Sequence, residues 1–166
     1  MTTTIVPMSE PDIGPAERTA VLEVLDGKTL ALGPRLNAFE ERLAAKVGAR
    51  HGIAVNSGTA ALHLCLLAVG VGEDDVVVTT PFSFVASANC ILYVGARPLF
   101  VDVDPETLTL DHARLEHAVE TMARSGRRVK AVLPVHVFGQ AADMDAIIAV
   151  AERHGLAVIE DACEAI

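Results

Sequence analysis

Eight residues, Val55-Asn56-Ser57-Gly58-Thr59-Ala60-Ala61-Leu62, carry the first chemical signal of the chain. The run over 51–55 predicts a strand that enters a Ser-Gly-Thr turn, and the apolar run over 60–69 predicts a helix directly after it. Such a turn leaves unpaired backbone N–H groups at the positive end of a helix dipole, which suits an anion and a phosphate best. Gly58 permits close backbone approach, and the hydroxyls of Ser57 and Thr59 add donors. The same three residues also make a good helix cap with no ligand at all. About a hundred residues further on stands Asp161, after a predicted strand over 157–160.

In open α/β sheets, ligands sit at the carboxyl ends of the strands. Those ends offer Ser57, Gly58 and Thr59, then Pro81-Phe82-Ser83-Phe84, then His136, then Glu160 and Asp161. The set suits pyridoxal phosphate (PLP), which needs a phosphate cradle, a flat aromatic contact and a carboxylate at its pyridine nitrogen. Asp161 supplies the carboxylate, and Phe84 or His136 flanks the ring. Blander readings stand beside each: Asp161 as a helix cap, Phe84 as packing, His136 as a core histidine hydrogen-bonded to a carbonyl. Asp102 and Asp104 read as turn formers, and Asp143 and Asp145 as a helix start. His63 and Cys65 lie two apart on different helix faces, so no metal site is assigned. Gly70-Val71-Gly72 follows a helix and lacks a third glycine, which argues against a dinucleotide fingerprint.

The elements that must position these groups alternate. Strands are predicted over 51–55, 76–80, 98–101, 129–135 and 157–160, and helices over 15–25, 35–47, 60–69, 84–94, 111–124 and 144–154. Most of the strands are near-continuous apolar runs, as expected where helices cover both faces of a parallel sheet. Residues 1–14 read as an extended arm. The chain stops just after a buried-type strand, which reads as an uncovered edge and a truncated domain.

Hydrophobic residues make up 51% of the 166, enough for a substantial core. Thirteen basic and 22 acidic residues leave a net charge of −9 and no basic run, which argues against nucleic acid and anionic membrane as partners. No window is long and apolar enough to span a bilayer, and no signal peptide is visible. Cys65, Cys90 and Cys163 show neither a pairing pattern nor metal spacing, so reduced, buried thiols in a cytoplasmic protein are expected.

The chain resembles the N-terminal part of the DegT/DnrJ/EryC1/StrS family, the PLP-dependent sugar aminotransferases of fold type I. The segments that carry the resemblance are ALGPRLNAFEERLA (31–44), NSGTAALHL (56–64), TTPFSFVASAN (79–89), GARPLFVDVDPETLTLD (95–111), PVHVFGQAADMDAI (134–147) and HGLAVIEDACEA (154–165). It implies an N-terminal arm with helices over 1–48, and over 49–166 a partial large domain with a mostly parallel sheet and flanking helices. By position, Gly58 and Thr59, with Ser57 at the turn, hold the PLP phosphate, Phe84 stacks on the ring, and Asp161 meets the pyridine nitrogen. Glu164 stands where many members carry glutamine near the ring hydroxyl. The implied activity is amino transfer from a donor to a nucleotide-linked keto-sugar, by a homodimer. The family's Schiff-base lysine lies beyond the aspartate motif, and Lys28, Lys46 and Lys130 match no family motif. No catalytic residue is therefore assigned, and the chain as given is expected not to transaminate. The alternative is a non-catalytic remnant that binds PLP or dimerises.

Overall fold

The computed structural model describes residues 10–165, so most of the expected N-terminal arm lies outside the described residues. The chain divides into two compact units between Ala54 and Val55.

The first unit holds α1 (Pro15–Leu25) and α2 (Pro34–Val47). Each has proline in its first turn, where the missing N–H removes no intrahelical bond, and α2 closes on Gly48 in the left-handed region (φ 69°). Arg35 of α2 pairs with Glu23 of α1, and the Glu40 carboxylate accepts from the Ala54 N–H at 2.8 Å.

The second unit runs α3 (Gly58–Ala68), β1 (Val76–Thr79), α4 (Ala86–Tyr93), β2 (Arg97–Phe100), α5 (His112–Arg124), β3 (Val129–Val132), a single 3₁₀ turn (Val137–Gly139), α6 (Met144–His154) and β4 (Ala157–Val158). The four strands form one parallel sheet in the order β2-β1-β3-β4. One expected strand is missing: residues 51–55 have no ladder partner among the described residues and carry no strand. An apolar run becomes a strand only where a neighbour accepts and donates its backbone hydrogen bonds.

The helices are set by their caps and their inward faces. Asp111 accepts from the N–H groups of Ala113 and Arg114 to start α5, and Asp143 accepts from Ala146 N–H to start α6. Leu115 and Val119 of α5, and Ile147, Val150 and Ala151 of α6, then repeat at the three- and four-residue spacing that puts them on one stripe. That stripe packs with Val76, Val78, Val129 and Val132. The opposite face of the sheet, through Val77, Ala131 and Leu133, packs with Leu62 and Leu66 of α3 and Cys90 and Ile91 of α4.

The two faces alternate residue by residue except at one place. Val76 pairs with Val129 but Val77 pairs with Ala131, so Lys130 is a surplus residue, a β-bulge that resets which way the rest of β3 points. Beyond β3 and β4 a further parallel bridge joins Val135 to Asp161. The thiols depart from expectation: Cys90 is buried, but Cys65 and Cys163 are exposed, because Cys65 lies on the outward side of α3 beside Leu64 and Cys163 stands past β4. Among the described residues no helix is long and apolar enough to cross a membrane.

Candidate functional site

The chain leaves β1 toward β2 on one side and β3 toward β4 on the other, so the sheet order reverses between β1 and β3. A crevice is expected outside the carboxyl ends at such a switch point. A cavity of about 570 Å³ lies there, lined by Gly58, Thr59, Phe84 and Asp161 among others.

Its anion end is the start of α3. Ser57 is the extended N-cap, and its Oγ accepts from the Ala60 N–H at 3.2 Å. The cap uses one lone pair of the serine and leaves its proton free to donate; Gly58 and Thr59 line the cavity directly. The N–H groups of these first two helical residues have no intrahelical acceptor and sit at the positive end of the dipole. Gly58 does not supply a left-handed turn. A Cβ there would stand 2.5 Å from Cys163 Sγ, so any larger residue would push that thiol out of its present rotamer.

Its acidic end is Asp161, 6% exposed. The strand bridge fixes its backbone: its N–H donates to Pro134 O at 2.9 Å and its carbonyl accepts from His136 N–H at 3.0 Å. Ser87 Oγ lies 2.7 Å from Oδ2, and the Cys163 N–H donates to Oδ1 at 3.3 Å. The Cys163 thiol addresses the same carboxylate, so three protein donors meet its roughly four lone-pair sites.

Aromatic rings form the rim. Phe84 is 77% exposed, and Phe82 meets Phe138 edge to face at 6.1 Å. Phe138, 78% exposed, has a left-handed backbone (φ 53°), which costs a non-glycine residue on the order of 1 kcal/mol. Glu164 holds that turn, its Oε2 accepting from the Phe138 N–H at 2.8 Å. His136 lines the cavity with both ring nitrogens already engaged: Nδ1 accepts from the Ala142 N–H at 3.2 Å, so Nε2 carries the proton that faces Glu160 Oε2 at 3.0 Å. Among the described residues no cluster of three or more His, Cys, Asp or Glu is placed to hold a metal.

Two thiols feel this site. Burial first, then the Asp161 charge, push Cys90 up to about 11. Hydrogen bonding with Asp161 first, then burial, push Cys163 up to about 11. At pH 8 roughly one Cys163 in a thousand is then thiolate, the reactive form. We expect iodoacetamide to modify Cys65 well before Cys163 although both are exposed, and Asp161→Asn to speed Cys163 but not Cys65. Peptide-resolved mass spectrometry over time checks this, and equal rates in the unaltered chain would contradict it. The sign for stability follows. With a folded value above the ordinary 9.0, the contribution is complete below about pH 9 and is lost as pH rises toward 11.

The structure thus brings Gly58, Thr59, Phe84, Asp161, Glu164 and His136 to one cavity and leaves Ser57 outside it as a cap. Sequence reasoning missed Ser87, Cys163 and the Phe82–Phe138 pair. For Ser87 the only local signal is its four-residue spacing from Ser83, which puts the two on one side of a helical turn. Nothing local ties Ser87 to an acid 74 residues away.

A parallel sheet with its crevice at the switch point, flanked by helices on both faces, defines an open α/β domain of the doubly wound class. Within that class, the chain belongs to the DegT/DnrJ/EryC1/StrS aminotransferase family, whose pattern matches residues 11–166. It is 49% identical over 161 residues to the spore coat polysaccharide biosynthesis protein SpsC of Bacillus subtilis (strain 168), covering 97% of this chain and 40% of that protein. It is 43% identical over 162 residues to the GDP-perosamine synthase of Caulobacter vibrioides, covering 97% and 42%. The crystal structure of NtdA from Bacillus subtilis with bound cofactor PMP superposes with a TM-score of 0.77 at 37% identity, covering 89% of this chain and 32% of that one. The chain therefore spans about two-fifths of the length of these curated relatives. The expected aminotransferase fold, α/β with a parallel sheet and flanking helices, is borne out.

Proposed function

We propose that residues 49–166 are the cofactor-binding part of a PLP-dependent aminotransferase that acts on nucleotide-linked keto-sugars in the cytoplasm, as a homodimer. One observation carries the reading: the open N-terminus of α3 and the Asp161 carboxylate line the same cavity, with Phe84 on its rim. The donor set fits the cofactor. The N–H groups of Gly58 and Thr59, with the Thr59 hydroxyl, face a phosphate. Asp161 faces a protonated pyridine nitrogen, and Phe84 offers a ring face. When bound, PLP supplies the electron-withdrawing ring on which amino transfer depends. The chain's own part is to grip the phosphate, to place a fixed negative charge opposite the ring nitrogen, and to hold the rim through Glu164 and the Phe138 turn. The sugar-nucleotide reading is supported by the similarity to a relative named for GDP-perosamine synthesis, and the cofactor by the similarity to a structure holding PMP. The cytoplasmic setting is supported by three unpaired cysteines.

A second reading, non-catalytic binding, has one observation in its favour: none of Lys28, Lys46 and Lys130 lines the cavity. Two measurements test both. Fluorescence titration of the chain with pyridoxamine 5′-phosphate (PMP) should saturate, with competition from PLP; no saturable binding would overturn the cofactor reading. Borohydride added with PLP should label no lysine stoichiometrically; stoichiometric labelling of one lysine would remove the non-catalytic reading.

A further inference from the structure

We propose that Ser87 is a positioning residue for Asp161, with Ser83 setting the direction of the bond between them; the assignment rests on the cofactor reading above. Ser87 sits in the first turn of α4 and is 1% exposed. Its Oγ is 2.7 Å from Asp161 Oδ2 and 2.6 Å from Ser83 Oγ. An ionised carboxylate only accepts, so the single Ser87 proton goes to Asp161. Ser87 then has only lone pairs for Ser83, which must donate. Phe84 O, 3.2 Å from Ser83 Oγ, competes for the same proton. The order is therefore Ser83 to Ser87 to Asp161.

Ser83 and Asp161 both line the cavity, whereas Ser87 lies behind them, out of reach of any ligand there. Its hydroxyl can act on a ligand only through the carboxylate. With Ser87 on one oxygen and the Cys163 N–H on the other, the carboxyl plane is fixed from two sides, with lone-pair capacity left over for a ligand. Without Ser87 one buried oxygen loses its donor, and the group is free to turn toward other partners. A buried chain of this kind fixes one rotamer at the point where a cofactor's ring nitrogen requires it.

The test uses the 166-residue chain and PMP as probe. Ser87→Ala should weaken PMP binding about tenfold, and Ser87→Thr, which keeps the hydroxyl, should stay within about twofold of the parent. In an Asp161→Asn background, Ser87→Ala should have little further effect, because the hydroxyl acts through the carboxylate. Side-chain couplings of Asp161, read by NMR without ligand, should show one rotamer in the parent and averaging in Ser87→Ala. Parent-like affinity and couplings in Ser87→Ala would overturn the proposal, as would full additivity with Asp161→Asn. Should the parent fail to bind PMP while Ser87→Ala still frees the Asp161 side chain, the cofactor reading falls and the positioning stands.

Discussion

Asp161→Asn should lower the affinity of the chain for PMP by about 100-fold while leaving its affinity for inorganic phosphate unchanged. The substitution keeps the shape of the side chain and removes its charge. A charge-assisted bond to a ring N–H is roughly twice as strong as a neutral one, and hydrogen bonds to charged groups contribute about 1.5–3 kcal/mol. The environment adds to the loss. Ser87 Oγ and the Cys163 N–H both address the oxygens of Asp161. An amide offers only one oxygen, so its NH₂ must face one of these donors or the ring nitrogen itself. A 100-fold loss corresponds to about 2.7 kcal/mol. On the proposed reading phosphate sits at the other end of the cavity, at the start of α3, and should not sense the change. Isothermal titration with both ligands is the measurement. Parent-like PMP affinity in the variant would remove Asp161 from the ring site.

The second large effect concerns stability and separates two adjacent residues of the same type. Ile147→Ala should cost about 3 kcal/mol and Ile148→Ala about 0.5 kcal/mol or less. Ile147 is 0% exposed and packs among Val76, Val78, Val132 and Leu115, whereas Ile148 is 39% exposed on the outer side of α6. Truncating the first removes buried methyls and leaves a cavity in a sheet–helix layer that cannot fully collapse. Truncating the second removes partly hydrated surface. For a chain of this length the difference is on the order of 5–10 °C in melting temperature. Thermal unfolding of both variants, followed by circular dichroism, decides the matter. Equal losses would mean that α6 is rotated from the face described.

These comparisons show what the sequence could reveal. The bounds of α6 were legible because Asp143 caps it and Gly155 ends it in the left-handed region, both short-range effects. The parallel sheet was legible because its strands are unbroken apolar runs, covered by helices on both faces. Phe84 and Asp161 share a cavity because both stand beyond strand ends of one parallel sheet, whereas Thr59 reaches it from the start of α3 with no strand before it. The run over 51–55 misled, since its pattern suits a strand but pairing is not a local property. Ser57 was half legible. Cap and cradle use the same residue types, and the bond to Ala60 N–H shows the cap while leaving the hydroxyl proton for either role. Ser87 and Cys163 stayed hidden because their significance comes from contacts across the fold, one with Asp161 and the other with the space where Gly58 would carry a Cβ.

The surplus residue in β3 has a consequence for how this chain can diverge. Because Lys130 has no counterpart in β1, the residues on either side of it, Val129 and Ala131, already pair with the neighbours Val76 and Val77. Losing that one codon would close the ladder and leave Ala131, Val132 and Leu133 on their present faces. Losing Val132 instead would send Leu133 among α5 and α6. Length along this strand can therefore change at the surplus residue, while its neighbours vary only by swaps of one side chain for another.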